Sequence, residues 1–250
     1  MSELKGKNVL VTGGGKNLGA LIAESLAAAG ANVAIHYNSD SSKAETDATL
    51  AKLKALGVTA VAVQANMHTA GAVEKLFKDA LAGLGARTFD IAINTVGKVL
   101  KKPLLQITEA EYDTMFDVNA KANFFFIQEA ARHLSDGGAI ISIVTSLLGA
   151  FTGLYSTYQG SKAPVEWFTK AAAKELMPRG IRVNAVAPGP MDTPFFYPQE
   201  EPEAVAFHKS QALGNRLTDI KDIAPLVMYL CTDKWITGQV IFSNGGYTTR

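Results

Sequence analysis

Two residues four apart, Tyr158 and Lys162 in the segment Tyr158-Gln-Gly-Ser-Lys162, have the types and spacing of a proton-transfer pair. On a helix, positions i and i+4 share a face. A free phenol has a pKa of about 10 and is a poor acid or base at neutral pH. A neighbouring ammonium favours the phenolate and lowers that value, which makes the pair a donor for an alkoxide forming on a substrate. The same spacing also describes an ordinary solvated helix face. Tyr155 is a useful control: four residues on stands Gln159, so it has no ammonium partner in the sequence.

The second pattern is Thr12-Gly13-Gly14-Gly15-Lys16-Asn17-Leu18-Gly19, at the end of a short apolar run. A glycine turn between a strand and a helix lets phosphates approach the backbone and meet the free N–H groups of the helix N-terminus. The GxGxxG spacing is not met, since counting from Gly13 and Gly15 puts Leu18 where the third glycine should stand. A tight turn without a ligand is the plain alternative.

These segments must be positioned by an alternating chain. Runs at Asn8–Thr12, Asn32–Tyr37, 59–64, 90–94, 139–144, 182–187 and 239–242 read as strands. Segments of helical period lie between them, at 18–29, 42–56, 71–84, 119–134 and 155–176. Continuous apolar strands separated by helices predict a doubly wound parallel α/β sheet of about seven strands, covered on both faces. No repeat, linker or composition shift divides the chain, so residues 1–250 are expected to form one domain.

Composition excludes other classes. With 24 basic and 23 acidic residues the net charge is +1, which gives no electrostatic case for nucleic acid or an anionic membrane. Hydrophobic residues make up 48%, enough for a core without staples. Cys231 is the one cysteine, which rules out an internal disulfide and suits a reducing cytoplasm. His36, His68, His133 and His208 form no ligand pair, so no metal is expected. No apolar signal core opens the chain and no stretch reaches membrane-span length.

Taken together, the motifs resemble the single-domain branch of the short-chain dehydrogenase/reductase family. The family's TGxxxGxG turn is similar to Thr12-Gly13 through Gly19, with Asn17 in place of the middle glycine. Its NNAG corresponds to Asn94-Thr95-Val96-Gly97, its helix asparagine to Asn119, its serine to Ser146, its YxxxK to Tyr158 and Lys162, and its PG…T to Pro188-Gly189 and Thr193. Asn tolerates the left-handed backbone that the turn requires. Ser146 lies one residue closer to Tyr158 than the family pattern; Thr145, at the family spacing, is its rival.

The resemblance implies a Rossmann-type oxidoreductase that moves hydride between a nicotinamide cofactor and a carbonyl or alcohol carbon. Tyr158 would protonate the substrate oxygen and Ser146 would hydrogen-bond it. Lys162 would lower the Tyr158 pKa and hold the nicotinamide ribose. The Asn119 backbone would anchor a relay water, and Thr193 would sit by the nicotinamide. Gly13, Gly15, Lys16, Asn17 and Leu18 would cradle the phosphates, Asn66 and Met67 the adenine, and Asn94, Gly97, Pro188 and Gly189 would complete the cofactor site. Tyr37, Asn38 and Ser39 end the second strand without an acid, and Lys16 adds a positive charge, so NADPH is expected over NADH. Asp40, three residues beyond that strand end, is the competing NAD-selecting acid.

The substrate is expected to be a small, fairly apolar ketone, with Phe195-Phe196-Tyr197 forming a lid within residues of about 190–216. Leu147, Leu148, Phe151 and Leu154 would add apolar surface. Lys98, Lys101 and Lys102 could hold an anionic substrate or simply be solvated. Phe124-Phe125-Phe126 reads as core and subunit interface, and a homotetramer or homodimer is implied. The alternatives are a β-ketoacyl thioester reductase and a protein that senses NADP without turnover; the presence of both Tyr158 and Lys162 speaks against the latter.

Overall fold

The computed structural model describes residues 4–249. Seven parallel strands lie in the order β3-β2-β1-β4-β5-β6-β7. They are β1 Asn8–Thr12, β2 Asn32–Tyr37, β3 Ala60–Gln64, β4 Phe89–Asn94, β5 Leu134–Ile143, β6 Arg182–Pro188 and β7 Val240–Ser243. The helices are α1 Asn17–Ala28, α2 Lys43–Ala55, α3 Ala70–Leu84, α4 Glu109–Phe116, α5 Ala122–His133, α6 Ser156–Leu176, α7 Pro202–Ser210 and α8 Ile220–Thr232. The expected doubly wound Rossmann-type sheet is present.

Alternation along each strand feeds two apolar layers. Val9 and Val11 of β1 pack with Ile22 and Leu26 of α1 and Val227 of α8, while Leu10 between them packs with Phe77 of α3 and Phe126 of α5. Two covered faces explain why the strands are continuously apolar. The chain reverses its winding between β1 and β4, and the crevice at the carboxyl ends of these strands is where an open α/β sheet binds ligands.

Two differences from the sequence reading have physical causes. β5 begins at Leu134 rather than 139, because Leu134 pairs with Phe89 before the register shifts between Phe89 and Ile91. The long segment expected at 119–134 starts earlier, with α4 capped by a reciprocal Thr108–Glu111 box. It passes through a π-turn at Asp117–Lys121 into α5, and such wide turns occur at functional sites. Of the three phenylalanines, Phe126 is core, Phe125 is partly buried and Phe124 is exposed against Phe168.

Candidate functional site

The turn after β1 is forced by contact as much as by backbone freedom. Gly13 adopts φ +67° and a Cβ there would fall 2.6 Å from Thr95 Oγ1. A Cβ on Gly19 would fall 2.2 Å from the Gly13 carbonyl oxygen, so only glycine lets α1 pack onto its own turn. Asn17 takes φ +48°, as its tolerance of the left-handed region predicts. The turn is braced from α2, where Thr49 Oγ1 donates to the Gly15 carbonyl at 2.8 Å.

His36, to which the sequence reading gave no role, braces the turn from β2. Its Nδ1 accepts from the Gly13 N–H at 3.2 Å, and its Nε2 donates to the Ala65 carbonyl at 2.8 Å. Burial pushes its pKa down to about 4, so the ring is neutral and this one tautomer serves both bonds. Nothing in the strand's apolar pattern marks it. Its place one residue before Tyr37, at the strand end beside the turn, is the signal that was available.

These elements wall a cleft lined by Gly13, Gly15, Lys16, Asn17, Leu18, Tyr37, Asn38, Gly97, Tyr158, Lys162 and Thr193. A neighbouring recess is lined by Met67, Gly97 and Asn38, with His36 and Lys98. Other expected cofactor residues support it from outside. Asn94 is buried, its Oδ1 accepting from Thr12 Oγ1 at 2.6 Å and from the Val96 N–H at 3.0 Å, so it fixes the end of β4 against β1. Asn66 is exposed and accepts from the His68 N–H. Ser39 bonds Ser41, and Asp40 opens a short 3₁₀ turn; neither lines the cleft. Lys16 pairs at 3.1 Å with Glu45, both about half exposed.

Lys162 is buried at the inner end. Its Nζ donates to the Ile143 carbonyl at 2.9 Å, and burial pushes its pKa down to about 8. A Cβ on Gly97 would lie 3.0 Å from that nitrogen, so the loop after β4 runs close against Lys162. The Asn119 side chain is a brace: it accepts from the Lys98 N–H at 2.9 Å and donates to the Lys98 carbonyl and to Ser161 Oγ.

Tyr158 departs from expectation. Burial pushes its phenol up to about 12, opposed by a hydrogen bond from Thr145; Lys162 is turned to Ile143 and does not lower it. Ser146 has its hydroxyl engaged within the protein. Its hydroxyl donates to the Ala187 carbonyl at 3.0 Å and accepts from Asn244 Nδ2 at 3.0 Å, and is fully buried in that network. Thr145 places its hydroxyl in hydrogen-bond reach of Tyr158, and both Thr145 and Ser146 line the cavity described next. Thr145 stands at the family spacing from Tyr158 and caps the 3₁₀ turn Ser146–Gly149, its Oγ1 accepting from the Leu147 N–H.

A second cavity adjoins Tyr158. Thr145, Pro188, Gly189, Thr193, Phe195 and Phe196 line it, and Val144, Tyr158, Met191, Thr193 and Phe195 line both cavities. Pro188 and Gly189 thus face this cavity rather than the cofactor cleft. Tyr197 points away and donates to Asp192. Of the four apolar loop residues only Leu147 lines the cavity; Leu148 packs inward, while Phe151 and Leu154 are exposed. Lys101 and Lys102 are engaged with Glu200 and Glu111 and are not free for an anionic substrate.

The comparisons agree with this geometry. Residues 13–248 match the family model described as enoyl-(acyl carrier protein) reductase. A hydroxynaphthalene reductase-like protein of Metarhizium brunneum is 34% identical over 99% of this chain and 97% of its own. A dehydrogenase from Burkholderia cenocepacia, solved with bound NADP, is 58% identical, with a TM-score of 0.96 over 100% of this chain and 96% of that one. The angucycline C-6 ketoreductase LanV, also solved with bound NADP, is 31% identical, with a TM-score of 0.91 over 98% of this chain and 97% of its own. On its whole-length relatives, its fold and its motifs, the chain belongs to the short-chain dehydrogenase/reductase family.

Proposed function

We propose that the chain is an NADPH-dependent reductase of ketones, reversible toward the alcohol, with Tyr158 as the general acid. The observation that carries this reading is the shared wall. Tyr158 and Thr193 line both the cleft of the glycine turn and the apolar cavity, so a cofactor in one faces a substrate in the other. The cleft fits a dinucleotide, because its floor is bare backbone at Gly13 and Gly19 and its inner end holds a buried ammonium. Bound there, the cofactor supplies hydride.

The chain's own residues supply the rest. A phenol pushed up to about 12 is fully protonated at neutral pH, as an acid must be. Thr145 is assigned the hydrogen bond to the substrate oxygen in place of Ser146. Lys162 holds the ribose, and the Asn119 backbone carries the relay water. Lys16 is assigned the 2′-phosphate; leaving Glu45 costs it at most about 1 kcal/mol, since the pair is exposed. Residues 190–216 form the lid of the single domain. Binding of NADP by the Burkholderia cenocepacia relative supports the cofactor, and the ketoreductase supports the substrate class.

The test is NADPH oxidation at constant pH with a panel of aryl and alkyl ketones. Turnover of apolar ketones with preference over NADH is expected; no turnover of any of them, or a clear preference for small charged substrates, contradicts the reading. Phe124 and Trp167, both exposed on α5 and α6, support a homodimer or homotetramer through these helices, which light scattering reads as a multiple of 26.5 kDa.

A further inference from the structure

We propose that the wall of the substrate cavity formed by Tyr155, His208 and Tyr247 presents hydrogen-bond acceptors only, and that Glu200 is the positioning residue that makes it so. The chain then selects neutral ketones that carry a hydroxyl group remote from the reacting carbonyl. This rests on the ketone-reductase reading of the cavity.

Glu200 has no exposed side-chain surface. The Tyr155 hydroxyl donates to its Oε1. Lys101 Nζ donates to its Oε2 at 2.5 Å and supplies the counter-charge that a buried carboxylate needs. His208 Nε2 stands 3.5 Å from the same oxygen, and His208 Nδ1 is 2.8 Å from the Tyr247 hydroxyl. Tyr155, His208 and Tyr247 line the cavity; Glu200 and Lys101 lie behind them.

The direction of every proton in this chain follows from Glu200. An ionised carboxylate can only accept. The Tyr155 hydrogen therefore points at Glu200, and the neutral His208 ring carries its proton on Nε2. Its Nδ1 is then bare, so the Tyr247 hydrogen points at Nδ1. Both phenol hydrogens are spent inside the protein, and each phenol oxygen has only lone pairs to offer a ligand. A substrate hydroxyl finds an acceptor there. A methyl ether or a bare C–H leaves it unanswered, and a carboxylate sets its charge against oxygen lone pairs with Glu200 behind them.

Leu147, Phe195 and Phe196 give the cavity apolar surface beside this wall. The polarity of the Tyr155–His208–Tyr247 wall then distinguishes among ketones of similar shape.

The experiment compares kcat/KM at saturating NADPH for bicyclic aryl ketones of one skeleton, bearing a hydroxyl, methoxy, carboxylate or hydrogen in turn at each ring position remote from the carbonyl. At one position or more the hydroxy ketone should exceed its methoxy and unsubstituted analogues by about tenfold or more, with the carboxylate poorest. In Tyr247→Phe, and in the charge-balanced double variant Lys101→Met/Glu200→Leu, the hydroxy-to-methoxy ratio should fall toward one. A purely structural defect lowers all ketones alike and leaves that ratio unmoved, which would overturn the role given to Glu200. Turnover of ketones by the unmodified protein with no hydroxy preference at any position overturns the acceptor wall alone; no turnover of any ketone overturns the reductase reading, and the inference with it.

Discussion

The cofactor cleft and the substrate cavity share Tyr158 but are built from different kinds of contact. The cleft is made by backbone: Gly13, Asn17 and Gly19 set a turn whose neighbours are a few residues away or on the adjoining strand. The cavity is made by side chains brought from across the chain, with Lys101 meeting Glu200 99 positions on and Asn244 meeting Ser146 98 positions back. A backbone site tolerates few residue types and so leaves a local pattern. A side-chain site admits many solutions, and its members carry no common spacing.

Breaking the cleft should have the largest effect. Gly19→Val puts a branched side chain where even one carbon meets the Gly13 carbonyl oxygen at 2.2 Å. Fluorescence titration is expected to show NADPH affinity down by about a hundredfold or more; binding within a few-fold would mean the turn relaxes easily.

The comparison is sharpened next at the one place where sequence and structure disagree about an adjacent pair. Thr145→Val removes the hydroxyl beside Tyr158 and should lower kcat by about a hundredfold with little change in melting temperature. Ser146→Ala cuts a buried link between Ala187 and Asn244 and should cost about 1–2 kcal/mol of stability, with kcat less affected. If Ser146→Ala is the variant that loses turnover, the assignment reverts to the serine.

A smaller effect is expected at the rim. Lys16→Ala should weaken NADPH about ten- to a hundredfold, the worth of one charge-assisted bond, and leave NADH nearly unchanged. Equal weakening of both would place Lys16 away from the 2′-phosphate.

The smallest effect concerns pH. Burial holds the folded Lys162 near a pKa of about 8, below its usual value. Its charge is complete at lower pH and is lost as pH rises through that value. NADPH binding, which gains from the positive charge, should be flat below about pH 7 and weaken a few-fold above about pH 8. Lys162→Arg, which does not titrate there, should flatten the curve.

What was legible in the sequence follows the same division. The parallel sheet, the turn and the Tyr158–Lys162 spacing were all visible, because strand burial and helical period are local properties. The direction of the Lys162 ammonium was not, since it depends on the Ile143 carbonyl of β5. Nor was the choice between Thr145 and Ser146, because adjacent hydroxyls are told apart only by the distant Ala187 carbonyl and Asn244 amide that engage Ser146. His36 was hidden inside an apolar strand, where a neutral histidine looks like any packed ring. The cluster around Glu200 joins four segments and had no pattern to find.

Tyr158→Phe, assayed for NADPH binding by fluorescence and for ketone turnover in the same preparation, tests the proton source most directly. The removed hydroxyl is the proton source, while the turn and Lys162 that hold the cofactor are untouched. Binding within a few-fold of the unmodified protein, with turnover lower by about a thousandfold, is the predicted result. Near-normal turnover would contradict it.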